Sequence, residues 1–286
     1  MTATMREARL IIGFTRMDVW TTVIPMPFFF IAGLQHADGS PAELTAKTVG
    51  AIVYLWLFVY TFTLNNQLTG VEEDRLNKPF RPLVTGAVTT QGARIRFLVT
   101  SALFPVTGWL LGVLWWALAW MAVTFVYNAI GGGRNWVIKN LCNGIGVFLL
   151  TAATWQIATP LTSTSWRWVI FMASIVAILS PLQDLRDVPG DIAAGRRTIP
   201  IALGDIPARI CLAAGFTALP IGAYFTLYNP SPHRGWALAA ALISLLMSWT
   251  IVYRLRRRDD TEHDQRTYRL WEQWFTFIFI SSIVVI

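Results

Sequence analysis

Two segments of this chain concentrate acids, amides and basic residues in a pattern suited to gripping a phosphate group together with a divalent cation. The first runs Asn65-Asn66-Gln67-Leu68-Thr69-Gly70-Val71-Glu72-Glu73-Asp74 and continues Arg75-Leu76-Asn77-Lys78-Pro79-Phe80-Arg81-Pro82. The second runs Asp184-Leu185-Arg186-Asp187-Val188-Pro189-Gly190-Asp191, followed by Gly195-Arg196-Arg197-Thr198-Ile199-Pro200. Each places acids first, then arginine, then proline. On a helix Asn66, Gly70 and Asp74 fall at i, i+4 and i+8, and Asp184, Asp187 and Asp191 at i, i+3 and i+7, each set along one face. Pro189 and Gly190 are expected to break the second helix, leaving Asp191 just past its end. Carboxylates are hard oxygen ligands of the kind Mg²⁺ takes alongside substrate phosphates. Arg and Lys nearby suit the phosphate oxygens directly. The candidate metal ligands are Asn66, Glu73, Asp74, Asp184, Asp187 and Asp191, with Asp74, Asp187 and Asp191 as the expected catalytic acids. Ordinary ion pairs on a solvated loop account for one such segment; two at equivalent places point to facing halves of a clamp for a metal diphosphate.

A third polar cluster comprises Tyr127-Asn128, the flexible run Gly131-Gly132-Gly133, Arg134, Lys139-Asn140 and Asn143. Lys139 lies inside an otherwise apolar pattern, where it either snorkels to the headgroups or meets the diphosphate. Arg16 has the same two readings. The expected diphosphate-binding set is Arg16, Asn66, Arg81, Tyr127, Asn128, Lys139, Asn140 and Arg197.

The elements that must position these groups are membrane helices. Of 286 residues, 55% are hydrophobic and 14% charged, against about 25% charged in an average soluble domain. A span needs about 20 mainly apolar residues, and nine segments qualify, at about 17–34, 48–66, 95–112, 114–131, 137–158, 167–183, 208–228, 235–253 and 271–286. With that count, 20 of the 23 Lys and Arg fall on one side, leaving Lys47, Arg167 and Arg234 on the other. The split places the N-terminus and both acidic segments in the cytoplasm. The net charge of +7 is then topology and affinity for anionic headgroups, which leaves a nucleic-acid partner nothing to explain. No protein partner is evident. The run Arg254, Arg256, Arg257 and Arg258 reads as a stop-transfer anchor, with a substrate role as the second reading. The 14 Trp read first as interfacial anchors, with a Trp-lined pocket as the second reading. Cys142 and Cys211 are not spaced as metal ligands, and His36, His233 and His263 form no cluster. The expected fold is all-α: one integral membrane domain over 1–286, with two quasi-repeats at about 10–131 and 132–253 plus a final helix.

These residues resemble the UbiA superfamily of intramembrane prenyltransferases. Its first motif, Asn-Asp-x-x-Asp-x-x-x-Asp followed by Arg-x-Asn-Lys-Pro-x-Arg-Pro, is matched closely by Asp74 through Pro82. Its second, Asp-x-x-Asp-x-x-x-Asp with a following Gly-Arg-Arg-Thr, is matched by Asp184 through Pro200. The resemblance implies nine helices around a central cavity with a cytoplasmic polar cap, and Mg²⁺-dependent loss of diphosphate from a prenyl diphosphate such as farnesyl or geranylgeranyl diphosphate. The expected setting is a bacterial cell membrane. The first motif departs from the pattern: Gln67 stands where the family has Asp, Gly70 replaces the middle Asp, and an extra acid, Glu73, precedes Asp74. On a regular helix Glu73 points about 100° from Asp74. This altered motif is similar to that of the family's terpene-cyclase branch, so the expected activity is a class I terpene cyclase. Prenyl transfer to an aromatic or lipid acceptor is the second reading. A secondary transporter is a distant third, because its site would lie near the bilayer midplane.

Overall fold

A computed structural model describes residues 3–257 and 260–286; Arg258, at the end of the basic run, lies outside them. The described residues form thirteen α-helices: α1 Ala3–Thr15, α2 Met26–Leu34, α3 Pro41–Thr69, α4 Val71–Asn77, α5 Thr90–Leu110, α6 Leu114–Asn128, α7 Trp136–Ala158, α8 Ser163–Leu179, α9 Asp184–Ala193, α10 Ile199–Leu203, α11 Asp205–Ala223, α12 Arg234–Leu255 and α13 Thr261–Val285. The all-α expectation holds. Five helices are long and apolar enough to cross a membrane: α3, α7, α8 with its continuation through α9, α11 with the wide turn Tyr224–Tyr228, and α12. The pair α1 and α2, bent by 67° around residues 16–18, makes a sixth if counted as one span. The other three expected spans are not among these: α6 has only 15 residues, α5 opens on polar residues and carries Arg94 and Arg96, and α13 begins with a charged stretch over 261–269.

The length of α3 carries the first acidic segment out of the apolar layer. Ser40 starts the helix with a reciprocal cap, accepting from the Glu43 amide while Glu43 accepts from the Ser40 amide, and Pro41 occupies the first turn. Its 29 residues rise roughly 44 Å, more than a hydrocarbon core of about 30 Å. Asn65 to Thr69 therefore sit at the polar end of the helix. Gly70 ends α3 with φ −114° and ψ 23°, and α4 starts at Val71. The Asn66–Gly70–Asp74 face is thus bent at its middle residue rather than carried on one regular helix.

The second segment departs from expectation in the opposite sense. Helix α9 runs through Pro189 to Ala193, so Asp191 is inside it. The helix survives its missing amide hydrogen because a side chain from the first segment braces the weak turn. Asn77 donates from Nδ2 to the Asp187 carbonyl (3.2 Å) and accepts at Oδ1 from the Gly190 amide (3.1 Å). A Cβ on residue 190 would stand 2.2 Å from the Asn77 amide group, so only glycine lets this contact form.

The tryptophans divide between surface and interior. Trp109, Trp115 and Trp236 are exposed, as anchors should be, but Trp155, Trp168 and Trp274 are fully buried. Helix α7 packs between α8 and α6 and contributes much of the core, from Val147 to Ala158.

Candidate active site

The brace between α4 and α9 brings both acidic segments to one cavity. Asn66, Gly70, Glu73 and Asp74 line it from the first segment, and Arg186 and Asp187 from the second. Lys78, Arg81, Tyr127, Lys139 and Arg196 complete its polar end. The wall also carries a set of apolar and aromatic side chains: Phe58, Phe62, Trp120, Val147, Leu150, Val176, Tyr268, Trp271 and Phe275. Phe58 and Trp120 stack face to face at 4.3 Å. Of the four aromatic residues Trp56, Phe58, Tyr60 and Phe62 on α3, Phe58 and Phe62 face the cavity, while Trp56 and Tyr60 stack on each other at 4.8 Å and line no part of it.

Each acid of the wall just described leans on a cation. Arg81 Nη1 lies 2.6 and 2.7 Å from the two Asp74 oxygens, with both side chains buried. Glu73 is paired with Arg196. Asp187 has Lys78 at 3.9 Å and Arg186 at 3.7 Å. Lys139 does not snorkel: it is buried and its Nζ donates to Asp184 Oδ1 at 2.6 Å. Burial works against the charge on Arg196, but Glu73 foremost, with Tyr127, Asp191 and Asp74, outweighs it and holds the guanidinium above its ordinary pKa.

Several expected residues stand elsewhere. Asp184 and Asp191 are fully buried and do not line the cavity. Arg16 stacks on Phe80 at 3.6 Å. Asn128 bonds the Thr124 carbonyl (3.2 Å) and lines a neighbouring pocket beside Arg134. Asn140 accepts from Ser180 Oγ (3.1 Å). Arg197 is exposed, with its backbone paired to Arg134 and Trp136; its neighbour Arg196 takes the place expected of it. The sequence offered two adjacent arginines, and the turn at Gly195 (φ 65°) decides which one faces inward. Lys78 and Arg186 were also missed, although both sit within the motifs.

Gln67 and Gly70 show what became of the departures in the first motif. Gln67 is fully buried and donates to the Phe14 carbonyl at 2.9 Å, tying α3 to α1 instead of facing the cavity. At position 70 a Cβ would lie 3.7 Å from Glu73 Oε2. The Glu73 carboxylate thus reaches back into the space beside the missing acid.

Among the described residues no three His, Cys, Asp or Glu side chains converge as a ready cation cage. The donor chemistry nevertheless fits Mg²⁺. Asp184 Oδ2 and both oxygens of Asp191 are buried with no hydrogen-bond partner. Such oxygens are costly unless a cation or donor meets them, and all are hard ligands.

The family model described as the UbiA prenyltransferase family matches residues 24–283. The chain is 41% identical to Somaliensene A/B synthase of Streptomyces somaliensis, covering 97% of this chain and 93% of the relative. It is 32% identical to Diterpene cyclase eriG of Hericium erinaceus (96% and 86% covered), and 31% identical to Polyprenyl transferase eriF of the same organism (96% and 94% covered). Among solved structures, a UbiA homolog from Archaeoglobus fulgidus bound to GPP and Mg2+ superposes with a TM-score of 0.70 at 15% identity, covering 96% of this chain and 99% of that one.

Proposed function

The chain belongs to the UbiA prenyltransferase family of integral membrane enzymes, and from that premise we propose that it is a Mg²⁺-dependent terpene cyclase acting on a prenyl diphosphate such as farnesyl or geranylgeranyl diphosphate. The observation that carries this reading is a single cavity with Asp74, Asp187 and four or more basic side chains at one end and aromatic rings at the other. We read the chain as nine membrane spans in a bacterial membrane, and the Lys and Arg distribution supports placing the N-terminus and the polar end of the cavity on the cytoplasmic side.

Lys78, Arg81, Arg186 and Arg196 bind and orient the diphosphate oxygens. Asn66, Glu73, Asp74 and Asp187 would hold Mg²⁺ at the cavity wall, with Asp184 and Asp191 behind them. Bound Mg²⁺ supplies neutralisation of the charge that gathers on the departing diphosphate. The allylic carbon–oxygen bond breaks with its electron pair going to diphosphate. The cation left behind lies among Phe58, Phe62, Trp120 and Trp271, whose ring faces attract positive charge and whose bulk excludes water. A double bond of the same chain then closes on the cation. Similarity to a synthase and a diterpene cyclase favours this over transfer to an acceptor, the activity that the name of the Polyprenyl transferase eriF relative carries.

Purified protein given Mg²⁺ and one prenyl diphosphate, with no acceptor, should yield a cyclic product and inorganic diphosphate. Farnesyl, geranylgeranyl and geranylfarnesyl diphosphates offered separately read the chain length. Inertness toward all three until an aromatic or lipid acceptor is added would replace the cyclase by a prenyltransferase. Chelation with EDTA should abolish diphosphate release and added Mg²⁺ restore it; release that persists in EDTA removes the metal from the mechanism. Glu73→Gln should raise the Mg²⁺ concentration for half-maximal release about tenfold, the effect of weakening one charged ligand. An unchanged Mg²⁺ requirement would show Glu73 to be a partner of Arg196 alone.

A further inference from the structure

One acid of the cavity has no partner. Asp18 lies at the bend between α1 and α2, just before the short turn Val19–Thr21, and lines the cavity beside Met17, Thr21 and Thr22. Its Oδ2 is sealed from solvent and makes no hydrogen bond among the described residues. The side chain does not cap the turn that follows it; the Thr21 and Thr22 hydroxyls go to its backbone carbonyl instead, at 3.5 and 2.6 Å.

The groups facing Asp18 are already engaged. Arg81, Lys78 and Arg186 act on it electrostatically, as does the buried Glu272 of α13. Arg81 is bound to Asp74. Arg186 donates to Gln265 Oε1 at 2.8 Å and lies over the Tyr268 ring at 4.0 Å. Lys78 leans toward Asp187. The other acids of the wall, Glu73, Asp74 and Asp187, each have a cation within ion-pair reach, whereas no ion pair reaches Asp18 among the described residues.

Ionisation and ring closure leave a task that none of those three acids is free to do. A cyclised cation becomes an alkene only by losing a proton from a carbon next to the cationic centre. Prenyl transfer to an acceptor must likewise shed a proton. A carboxylate with one oxygen sealed from water and left without a hydrogen bond gains by taking one up. We propose that Asp18 is the proton acceptor of this cavity. The carbon–hydrogen electron pair becomes the new double bond, the proton goes to the Asp18 carboxylate, and it then leaves with the inorganic diphosphate held nearby by Lys78 and Arg81. The overall balance is prenyl diphosphate to cyclic alkene plus protonated diphosphate, with no further reactant. The break in the first membrane segment places Asp18 at the bend, where it lines the cavity.

This assignment rests on the diphosphate-ionising reading above, and the experiment separates the two. Wild type, Asp18→Asn, Asp18→Ala and Asp18→Glu, each purified and shown monodisperse by gel filtration, are given one prenyl diphosphate and Mg²⁺. Inorganic diphosphate and terpene products are quantified in parallel. In Asp18→Asn and Asp18→Ala the main alkene should fall at least about tenfold more than diphosphate release does, in the range expected for losing a general base. Misquenched isomers or a water-captured alcohol should take its place, and Asp18→Glu should recover the wild-type profile. An unchanged product profile overturns the proposal. So does a parallel fall of product and diphosphate, which would assign Asp18 to ionisation or to folding. A wild type that releases no diphosphate from any prenyl substrate defeats the functional reading itself, and the role of Asp18 falls with it.

Discussion

Asp187→Asn should lower diphosphate release by about a hundredfold or more, equivalent to about 2.7 kcal/mol of lost transition-state stabilisation. The substitution keeps the size of the side chain and its place on α9, but removes a charge that lines the cavity. Two consequences act in the same direction. The site loses a charged oxygen ligand, and Lys78 and Arg186, now 3.9 and 3.7 Å from an uncharged group, lose the carboxylate that balances them. The loss should appear in kcat at saturating substrate, because the departing charge develops only as the bond breaks. Asp191→Asn should follow it closely. Its two oxygens are buried without hydrogen-bond partners and have Arg196, 3.9 Å from one of them, to balance their charge, which leaves them available to a bound cation. The measurement is single-turnover release of diphosphate from detergent-purified protein, with circular dichroism to confirm the helices. Release at the wild-type rate from Asp187→Asn would take the second acidic segment out of the chemistry.

The second large effect comes from a methyl group. Gly190→Ala should reduce diphosphate release by about ten- to a hundredfold and lower stability by about 1–3 kcal/mol. The new Cβ would sit 2.2 Å from the Asn77 amide, which must swing away and abandon its bonds to Asp187 and Gly190. Helix α9 then loses the brace at its proline-weakened turn, and Asp187 and Asp191 lose their register against Asp74. Asn77→Ala removes the same bonds without a clash and should cost less. The two substitutions are coupled: once Asn77 is alanine, Gly190→Ala should add little further loss. Strict additivity in the double mutant, read by thermal unfolding and by diphosphate release, would show that the clash is relieved some other way.

Much of this site is legible in the residues themselves. Asp74 and Asp187 were readable because each sits in an acidic run followed by Arg and Pro, and four helical stretches between the runs were enough to return the chain to the same side. The aromatic wall was readable only in part. Phe58 and Phe62 lie at i and i+4 on one face of α3 and Trp56 and Tyr60 on another, and periodicity cannot say which face of a buried helix meets a cavity. Arg196 and Arg197 are alike in sequence, and only the turn at Gly195 separates them. The course of α9 was misread because a proline was weighed without its remote partner. Asn77 lies more than a hundred residues away, and no local rule joins it to Pro189. Asp18 gave no signal at all, since a single acid next to a membrane segment resembles any interfacial residue.

The span from Asn77 to its partners also sets a timetable for the newborn protein. The amide of α4 must wait for a carbonyl 110 positions further along the chain. At about 5–20 residues per second of synthesis, that wait is roughly 6–22 s. During it the first acidic stretch is already at the membrane surface without its counterpart. On the proposed function, a chain stalled or truncated before α9 lacks Asp187 and Asp191 and should release no diphosphate, so the chemistry waits until nearly two-thirds of the polypeptide has been made.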